Sequence, residues 1–580
     1  MIVRQPVREA PFPRLDRAGV AAAQLEAPHE DVIDIRNIQG NILAGFNKDF
    51  QTLLLLRIID VDEFREWLKE LAPCVATTAE VLAFNRLFKQ IRARRRSDSR
   101  TVQATWMNLA FTASGLQKLA PRELGKFKDT AFRRGLHARS AGLGDPTSGE
   151  GSPEHWVVGG PKNDADVMLI FAADDRDDLF AEVARIEDSI FAARASGGRP
   201  LRCGVEIVFK QHGAVLPQPL AGHEHFGFLD GISQPALRGR ISDDPHDVLT
   251  LRQNPDDPEQ GKPGQALVWP GEFVFGYHGQ DPTADTVNAR GPDSLAPEGK
   301  PVAPEWARDG SYLVFRRLRQ DVPAFRAFIR DEAARLGLSA DLLAAKIVGR
   351  FRSGAPLMRT IDHDDAAVAV NECVNNDFLF GAAGAGRSAT RIARKLDDSL
   401  CRPAPPAAPD EAGAVCPFAA HIRKMNPRND TGTRAAEIGA VSTATHRLLR
   451  RGIPFGAPYP ENPPEGVQDS GDRGLLFLAY QTSIEDQFEF VQRAWANDAQ
   501  FKDRSARDGT RSGHDLIIGQ NGRPADERRR RFVLPLAGAN GTLRREVIET
   551  AAEWVIPTGG GYFFAPSISA LTQLANGELR

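Results

Sequence analysis

Residues 226–235 read FGFLDGISQP, and Asp230 is the only charged side chain among them. Glycines at 227 and 231 bracket the carboxylate, and glycine permits backbone conformations and close approaches that other residues do not. The apolar neighbours at 226, 228, 229 and 232 would partly desolvate the carboxyl group, which suits it to carrying a proton. The competing interpretation is an ordinary Asp-Gly turn between two strands.

Length and charge limit the class of protein. The 580 residues are too many for one ordinary core, so they predict two packed units with long insertions. Lys and Arg total 73 against 76 Asp and Glu, which leaves no basic field for nucleic acid or an acidic membrane. No apolar run reaches membrane-spanning length, and charges and prolines interrupt residues 1–30, where a signal sequence would lie. We therefore expect a cytoplasmic protein with no nucleic-acid or membrane partner.

The five cysteines, at positions 74, 203, 373, 401 and 416, are widely scattered. The absence of CxxC and CxxCH motifs argues against a zinc ribbon and against covalently attached c-type haem. The expected state is five reduced and mostly buried thiols.

A unit of one strand and one helix occurs twice along the chain. The apolar run 51–59 leads into DVDEFREW at 60–67, and the run 312–318 leads into DVPAFRAF at 321–328. A second pair, at 166–184 and 474–493, also passes from an apolar strand into a helix. Two copies in the same order predict a duplicated α+β body with helices packed on a sheet. Chance similarity between amphipathic helices is the alternative.

Residues 416–428 read CPFAAHIRKMNPR and predict a short helix that starts near the first proline and ends before the second. Helical spacing places His421 on the apolar face and turns Arg423 and Lys424 away from it. A histidine that points inward must be hydrogen-bonded or must ligate something. Spacing alone leaves both roles open.

Several segments together resemble the dye-decolourising peroxidase family. GFLDG at 227–231 is similar to the family's GxxDG signature, and DIRNIQGNILAG at 34–45 is similar to its first ordered segment. The segment 416–428 resembles its proximal-histidine segment, and RRGIPFG at 450–456 resembles its R-x-x-x-P-aromatic-G pattern. The resemblance extends from about residue 34 to residue 574. It implies two ferredoxin-like halves in a dimeric α/β-barrel-like fold with antiparallel sheets, and one haem b per chain.

The same resemblance implies roles for single residues. His421 would be the axial ligand of the haem iron, Arg450 the distal arginine, and Asp515 the carboxylate partner of the ligating histidine. Arg451 competes with Arg450, although strand alternation would let only one of them enter a pocket. Arg423 and Arg428 would bind the haem propionates, unless they are ordinary solvated charges. Leu475 and Phe477 would line the distal side of the haem, a role compatible with simple strand core. Asp486 or Glu489 could replace Asp515 as the partner of the histidine.

The expected divisions of the chain follow from the repeats and the resemblance. They are an N-terminal arm at 1–33, a first ferredoxin-like half at 34–239 that carries the GxxDG motif, a loop-rich connection at 240–309, and a haem-binding second half at 310–580. A second polar, proline-rich insertion occupies 387–415.

The function implied is that of a haem peroxidase. Hydrogen peroxide would bind to the open face of the iron, Asp230 would carry the proton, and Arg450 would stabilise the developing negative charge. Bulky aromatic, dye-like or phenolic donors would then be oxidised in one-electron steps, best in acid. Family members can pass electrons through surface Trp or Tyr, and the seven tryptophans and five tyrosines here are candidates that the sequence does not rank.

Two rival functions stay open. A haem carrier or sensor would need His421 but would have no use for Asp230 and Arg450. A non-haem metal enzyme would use His223 and His225, although no third ligand with suitable spacing is evident.

Overall fold

The computed structural model describes residues 30–95, 102–191, 194–196, 199–201, 203–244, 246–250, 261–262, 264–280, 303–378, 380–381, 401–402, 407–428, 430, 443–463, 469, 471–501, 512–522, 528–537 and 542–579. Most of the predicted arm at 1–33, and parts of the connection 240–309 and of the insertion 387–415, lie outside these residues.

The strands are numbered in chain order. They are β1 Phe50–Ile58, β2 Thr105–Thr112, β3 Val167–Ala173, β4 Arg194–Ser196, β5 Arg199–Leu201, β6 Val205–Ala214, β7 Ala236–Leu237, β8 Leu267–Val268, β9 Ser311–Gln320, β10 Leu449–Arg450, β11 Ile453–Phe455, β12 Gly474–Gln481, β13 Arg530–Ala537, β14 Leu543–Thr550 and β15 Val555–Ala565.

The helices pack on the strands. The α-helices are α1 Gly40–Leu43, α2 Val61–Leu71, α3 Thr78–Arg95, α4 Ala113–Leu119, α5 Thr130–Arg134, α6 Arg176–Phe191, α7 Val322–Leu336, α8 Ala340–Val348, α9 Ala366–Val370, α10 His421–Met425 and α11 Ile568–Asn576. Wider π-helical turns form Ile484–Glu489 and Val491–Ala496, and short 3₁₀ turns form Ala72–Cys74, Leu124–Lys126, His137–Leu143, Pro153–His155, Pro270–Glu272 and Glu305–Ala307. No helix within the described residues is long and apolar enough to cross a membrane.

One large antiparallel sheet organises the molecule. Among the described residues its order is β10-β12-β9-β15-β2-β3-β1-β6, and β11 pairs with β12 as a ninth strand. The two predicted halves meet where β15 pairs with β2, at Phe563 opposite Thr112. The ends of the sheet also approach each other, because a methyl group at Gly213 of β6 would lie 2.6 Å from the side chain of Ile453 in β11. The predicted barrel-like α+β fold is confirmed.

The repeated Asp-Val pairs are helix starts. The side chain of Asp60 accepts a hydrogen bond from the backbone N–H of Glu63 (2.9 Å), and Asp321 accepts one from Ala324 (3.1 Å). Aspartate at this position satisfies an N–H group that the first turn leaves unpaired, so the repeat marks where α2 and α7 begin. The strand before each helix, β1 or β9, is buried along most of its length. The domain boundaries at 239 and 310 stay a prediction.

A disulfide joins Cys373 and Cys401, whose Cα atoms lie 4.9 Å apart. The expectation of five reduced thiols was therefore wrong for this pair. Cys203 and Cys416 are buried and outside any disulfide, as expected, whereas Cys74 is an exposed thiol. The pairing has no signal in the sequence, because the two cysteines are 28 positions apart and spacing alone does not show which cysteines approach each other.

Candidate active site

A cavity of about 300 Å³ lies beside β9, β12, β15, α10 and the loop around Asp230. Its walls are mainly apolar, with a few polar groups that converge on the space, which is typical of a site for a small molecule or cofactor. The predicted site residues that line it are Asp230, His421, Arg428, Arg450, Leu475 and Phe477.

A tight loop presents Asp230 to the cavity. The backbone N–H of Asp230 donates to the carbonyl of Gly222 (3.0 Å), which closes the loop. Gly227 and Gly231 have φ of 96° and 81°, a region that side chains strongly disfavour, so both glycines are needed for this path. The Asp230 side chain is 45% exposed, so the desolvation expected from its apolar neighbours is not observed. The carboxylate instead faces the cavity, beside an arginine.

That arginine is Arg450, whose Nη1 lies 3.5 Å from Oδ1 of Asp230. Arg450 also donates through Nη2 to the carbonyl of Ser233 (3.2 Å). Arg451 points elsewhere, because it donates to the carbonyls of Asn41, Ile42 and Leu43. Of these two arginines only Arg450, the last residue of β10, lines the cavity.

His421 is the first residue of α10, and its Nδ1 lies 2.7 Å from Oδ2 of Asp515. Asp515 is fully buried and also accepts the backbone N–H groups of Ile517 and Ile518 through Oδ1. Burial opposes its ionisation, but the His421 ring and these N–H groups outweigh burial and hold the pKa of Asp515 below its ordinary value. An ionised Asp515 can only accept in this contact, so Nδ1 of His421 donates and Nε2 is the ring nitrogen that remains for another partner.

Arg423 is not where the sequence placed it. Its side chain is fully buried and donates to the carboxylates of Asp430 (2.7 Å) and Asp410 (3.1 Å), so it does not line the cavity. Lys424 is buried as well. The helical pattern assigned both charges to a solvated face, and this was wrong because carboxylates outside the helix pair with Arg423 and backbone carbonyls pair with Lys424.

The histidine pair near Asp230 does not form a metal centre within the described residues. Nδ1 of His223 contacts the carbonyl of Ala221 (3.0 Å), whereas Nε2 of His225 contacts the carbonyl of Phe455 (2.8 Å). Burial lowers the pKa of His225 to about 4, so this ring is neutral. No group of three His, Cys, Asp or Glu side chains in the described part of the chain could hold a metal ion.

Comparison with known proteins identifies the family. The model of the DyP dimeric alpha+beta barrel domain matches residues 37–197, and that of the Dyp-type peroxidase C-terminal domain matches residues 391–507. A dye-decolorizing peroxidase of Exidia glandulosa is 30% identical over 92% of this chain and 86% of its own length. The chain belongs to the dye-decolorizing peroxidase family.

Other members of the family are similar over nearly the whole chain. Peroxidase 2 of Mycetinis scorodonius is 29% identical over 98% of this chain and 91% of its own length. The solved structure of an ancestral D-type dye decolorizing peroxidase superposes with a TM-score of 0.70 at 33% identity, covering 95% of this chain and all of that one. These similarities support a peroxidase activity for the chain.

Dye-decolorizing peroxidases depend on haem, and the cavity fits that group. Its apolar walls suit the ring, and the free Nε2 of His421 suits an iron. Nη2 of Arg428 donates to Asn376 (2.8 Å), but its Nη1 is buried with no hydrogen-bond partner among the described residues. A buried guanidinium with an unused donor fits a propionate carboxylate.

Sequence reasoning missed two further arginines at the cavity. Arg350 and Arg447 line it together with Arg428 and Arg450. Burial and the neighbouring Arg450 lower the pKa of Arg350 to about 9 and that of Arg447 to about 10. The cluster therefore carries positive charge that an anionic group would stabilise. Arg350 precedes the other three by 78 to 100 residues and lies in a segment without a recognisable motif, so the sequence offers no signal for it.

Glu224 was also missed as a cavity residue. Its carboxylate accepts the N–H groups of Phe226 (2.8 Å) and Phe228 (2.9 Å) and a hydrogen bond from Gln320. Burial raises the pKa of Glu224 despite these hydrogen bonds. Glu224 thus holds together the loop that presents Asp230, a role hidden in the sequence because its partners are backbone groups.

Proposed function

We propose that the chain is a peroxidase that holds one haem b through His421 and uses hydrogen peroxide to oxidise aromatic, dye-like or phenolic donors in one-electron steps. The observation that carries the proposal is that one cavity receives an imidazole with a buried carboxylate partner and, from separate elements, a paired aspartate and arginine. A haem carrier or sensor would need only the imidazole.

Each group has a role in this reaction. Asp515 holds the His421 ring with Nε2 towards the cavity, and Arg428 takes a propionate. Bound haem supplies an iron that coordinates peroxide and takes up its oxidising equivalents. Asp230 accepts a proton from one peroxide oxygen and delivers it to the other, which leaves as water. Arg450, 3.5 Å from Asp230, stabilises the negative charge on the departing oxygen and orients the carboxylate.

The colour of the protein tests the proposal. Protein produced with haem available should show a Soret band, and hydrogen peroxide added to the ferric form should shift that band. A donor added afterwards should return the spectrum to its starting form. A Soret band that ignores peroxide would support the carrier or sensor, and protein without haem but with a bound transition metal would support the non-haem enzyme.

Trp306 is the tryptophan best placed to receive electrons from bulky donors. It is half-buried, its Nε1 donates to Glu123 (2.8 Å), and its ring lies 5.6 Å from that of Phe564. Tyr562 is two residues from Phe564 on the same face of β15, and its ring lies 6.2 Å from that of Phe488, which lines the cavity. The aromatic rings thus lead from the surface to the cavity, and a carboxylate beside the indole can accept its proton.

We expect Trp306→Phe to lower kcat/KM for a bulky dye by about an order of magnitude and to leave a small phenol unaffected, since the phenol can enter the cavity. Steady-state kinetics with both donors measures this. Trp106→Phe is the matched control, because Trp106 is also half-buried but its ring contact in the described residues is with Phe84. Equal losses in the two variants would remove Trp306 from the route.

A further inference from the structure

Two buried cations lie close to the carboxylate that holds His421. Lys424 is 0% exposed and Arg530 is 1% exposed. The backbone N–H of Asp515 donates to the carbonyl of Ala496 (3.1 Å), the residue after Trp495, whose carbonyl accepts from Lys424. Arg530 donates to carbonyls of the turn that directly follows Asp515. Neither is needed to ionise Asp515, whose carboxylate already receives His421 and two backbone N–H groups. Burying a charged side chain costs several kcal/mol of folding free energy unless the charge is compensated. Two buried charged side chains in the same region therefore suggest a functional role.

The ammonium of Lys424 is fixed by backbone oxygens. Nζ donates to the carbonyl of Trp495 (2.9 Å) and to that of Asp498 (2.6 Å). These contacts tie α10, which carries His421, to the end of the π-helical turn at Val491–Ala496. Burial lowers the pKa of Lys424 to about 7, while Asp515 and Asp498 favour its charged form.

The guanidinium of Arg530 is fixed in a similar way. Its Nη1 donates to the carbonyls of Leu516 (3.0 Å) and Gly519 (2.8 Å). Those carbonyls belong to the turn whose N–H groups at 517 and 518 bind Asp515. Arg530 is therefore held against the same turn as the carboxylate, and burial lowers its pKa only to about 10, so it stays charged at neutral pH.

A carboxylate that accepts the Nδ1 proton of a ligating histidine makes the ring a stronger electron donor to its metal. The effect depends on how much negative charge the carboxylate presents to the ring. Cations nearby attract that charge and weaken the effect, most strongly in a water-excluded region of low dielectric.

We propose that Lys424 and Arg530 are positioning residues that attract the negative charge of Asp515 away from the ring of His421. They thereby lower the electron-donating power of that ring. The inference rests on the proposed role of His421 as iron ligand. With both cations present, the ring stays close to a neutral imidazole, and the reduction potential of the bound iron is kept higher than the Asp515–His421 pair alone would set it.

The test is the ferric/ferrous reduction potential of the haem-loaded protein, measured by spectroelectrochemistry at about pH 5, where Lys424 is charged. We expect Lys424→Met to lower the potential and to raise the iron–histidine stretching frequency in the resonance Raman spectrum, because the ring becomes the stronger donor. Lys346→Met is the matched control. Lys346 is also a buried lysine that donates to two backbone carbonyls, those of Ala414 and Val415, but the carboxylate that acts on it is that of Asp410 rather than that of Asp515.

Arg530→Met tests the inference independently if Lys424→Met fails to fold. Arg530→Met should shift the potential in the same direction, and Lys424→Arg, which keeps the charge, should return it towards the wild-type value. The inference would be overturned if the reduction potentials of Lys424→Met and Arg530→Met change no more than that of Lys346→Met, or if they rise. If His421→Ala leaves the Soret band and the potential unaltered, it is the proposed axial ligand that is wrong, so the two failures are distinguishable.

Discussion

Replacing His421 with alanine is expected to give a folded protein that no longer retains haem. The ring is 26% exposed and begins a five-residue helix, so its removal deletes little of the core. Replacing an outer-shell partner of a ligand commonly weakens metal binding by about 10–100-fold, and loss of the ligand itself should cost at least about 100-fold. The ratio of Soret to protein absorbance after gel filtration measures the loss, and circular dichroism checks the fold.

His446→Ala is the matched control for that experiment. His446 also lines the cavity, but it is hydrogen-bonded to the carbonyl of Asp486 and its ring stacks on Phe490 at 3.9 Å. It should keep haem. If His446→Ala loses haem and His421→Ala keeps it, the ligand has been assigned to the wrong histidine.

Replacing Asp230 with asparagine is expected to preserve haem binding and to slow the reaction with peroxide by about 10²–10⁴-fold, the usual contribution of a general acid–base group. The loop should keep its shape, because it is closed by the backbone N–H of Asp230 and by Glu224. An amide can keep a contact with Arg450 but cannot accept the peroxide proton. Stopped-flow measurement of the Soret change after mixing with peroxide gives the rate, and the loss should be clearest in acid.

Asp341→Asn provides the control for Asp230. Asp341 also lies 3.5 Å from an arginine, Arg352, and is 70% exposed, but it does not line the cavity. Its variant should react with peroxide at the wild-type rate. An Asp230→Asn protein that matched it would show that the carboxylate is only a turn residue.

The parts of the site that the sequence predicted come from short segments whose local geometry is set by their own residues. The glycines around Asp230 restrict the loop to one backbone path, and the side chains of the adjacent residues Arg450 and Arg451 point in different directions. The fold was predictable for a similar reason, because Asp60 and Asp321 mark equivalent helix starts after equivalent strands.

The errors concern partners that helical or strand periodicity does not reveal. Arg423 was assigned to solvent because periodicity cannot show that Asp410 and Asp430 surround it. The Cys373–Cys401 bond and the place of Arg350 in the basic cluster likewise have no local pattern that predicts them. Side-chain burial is thus the property that the sequence patterns predicted least well, because the charge of a residue does not show whether an oppositely charged residue lies beside it in the fold.

The last strand of the sheet, β15, is inserted between β9 and β2, which precede it by hundreds of residues. A ribosome that makes the chain from its amino end must therefore release about 550 residues before the centre of the sheet can be filled. Until then the nascent chain exposes two unpaired strand edges, a state prone to aggregation that chaperones would have to cover. Val555 and Pro557 of β15 also line the cavity, so the cavity is not enclosed until this strand has been made and has joined the sheet.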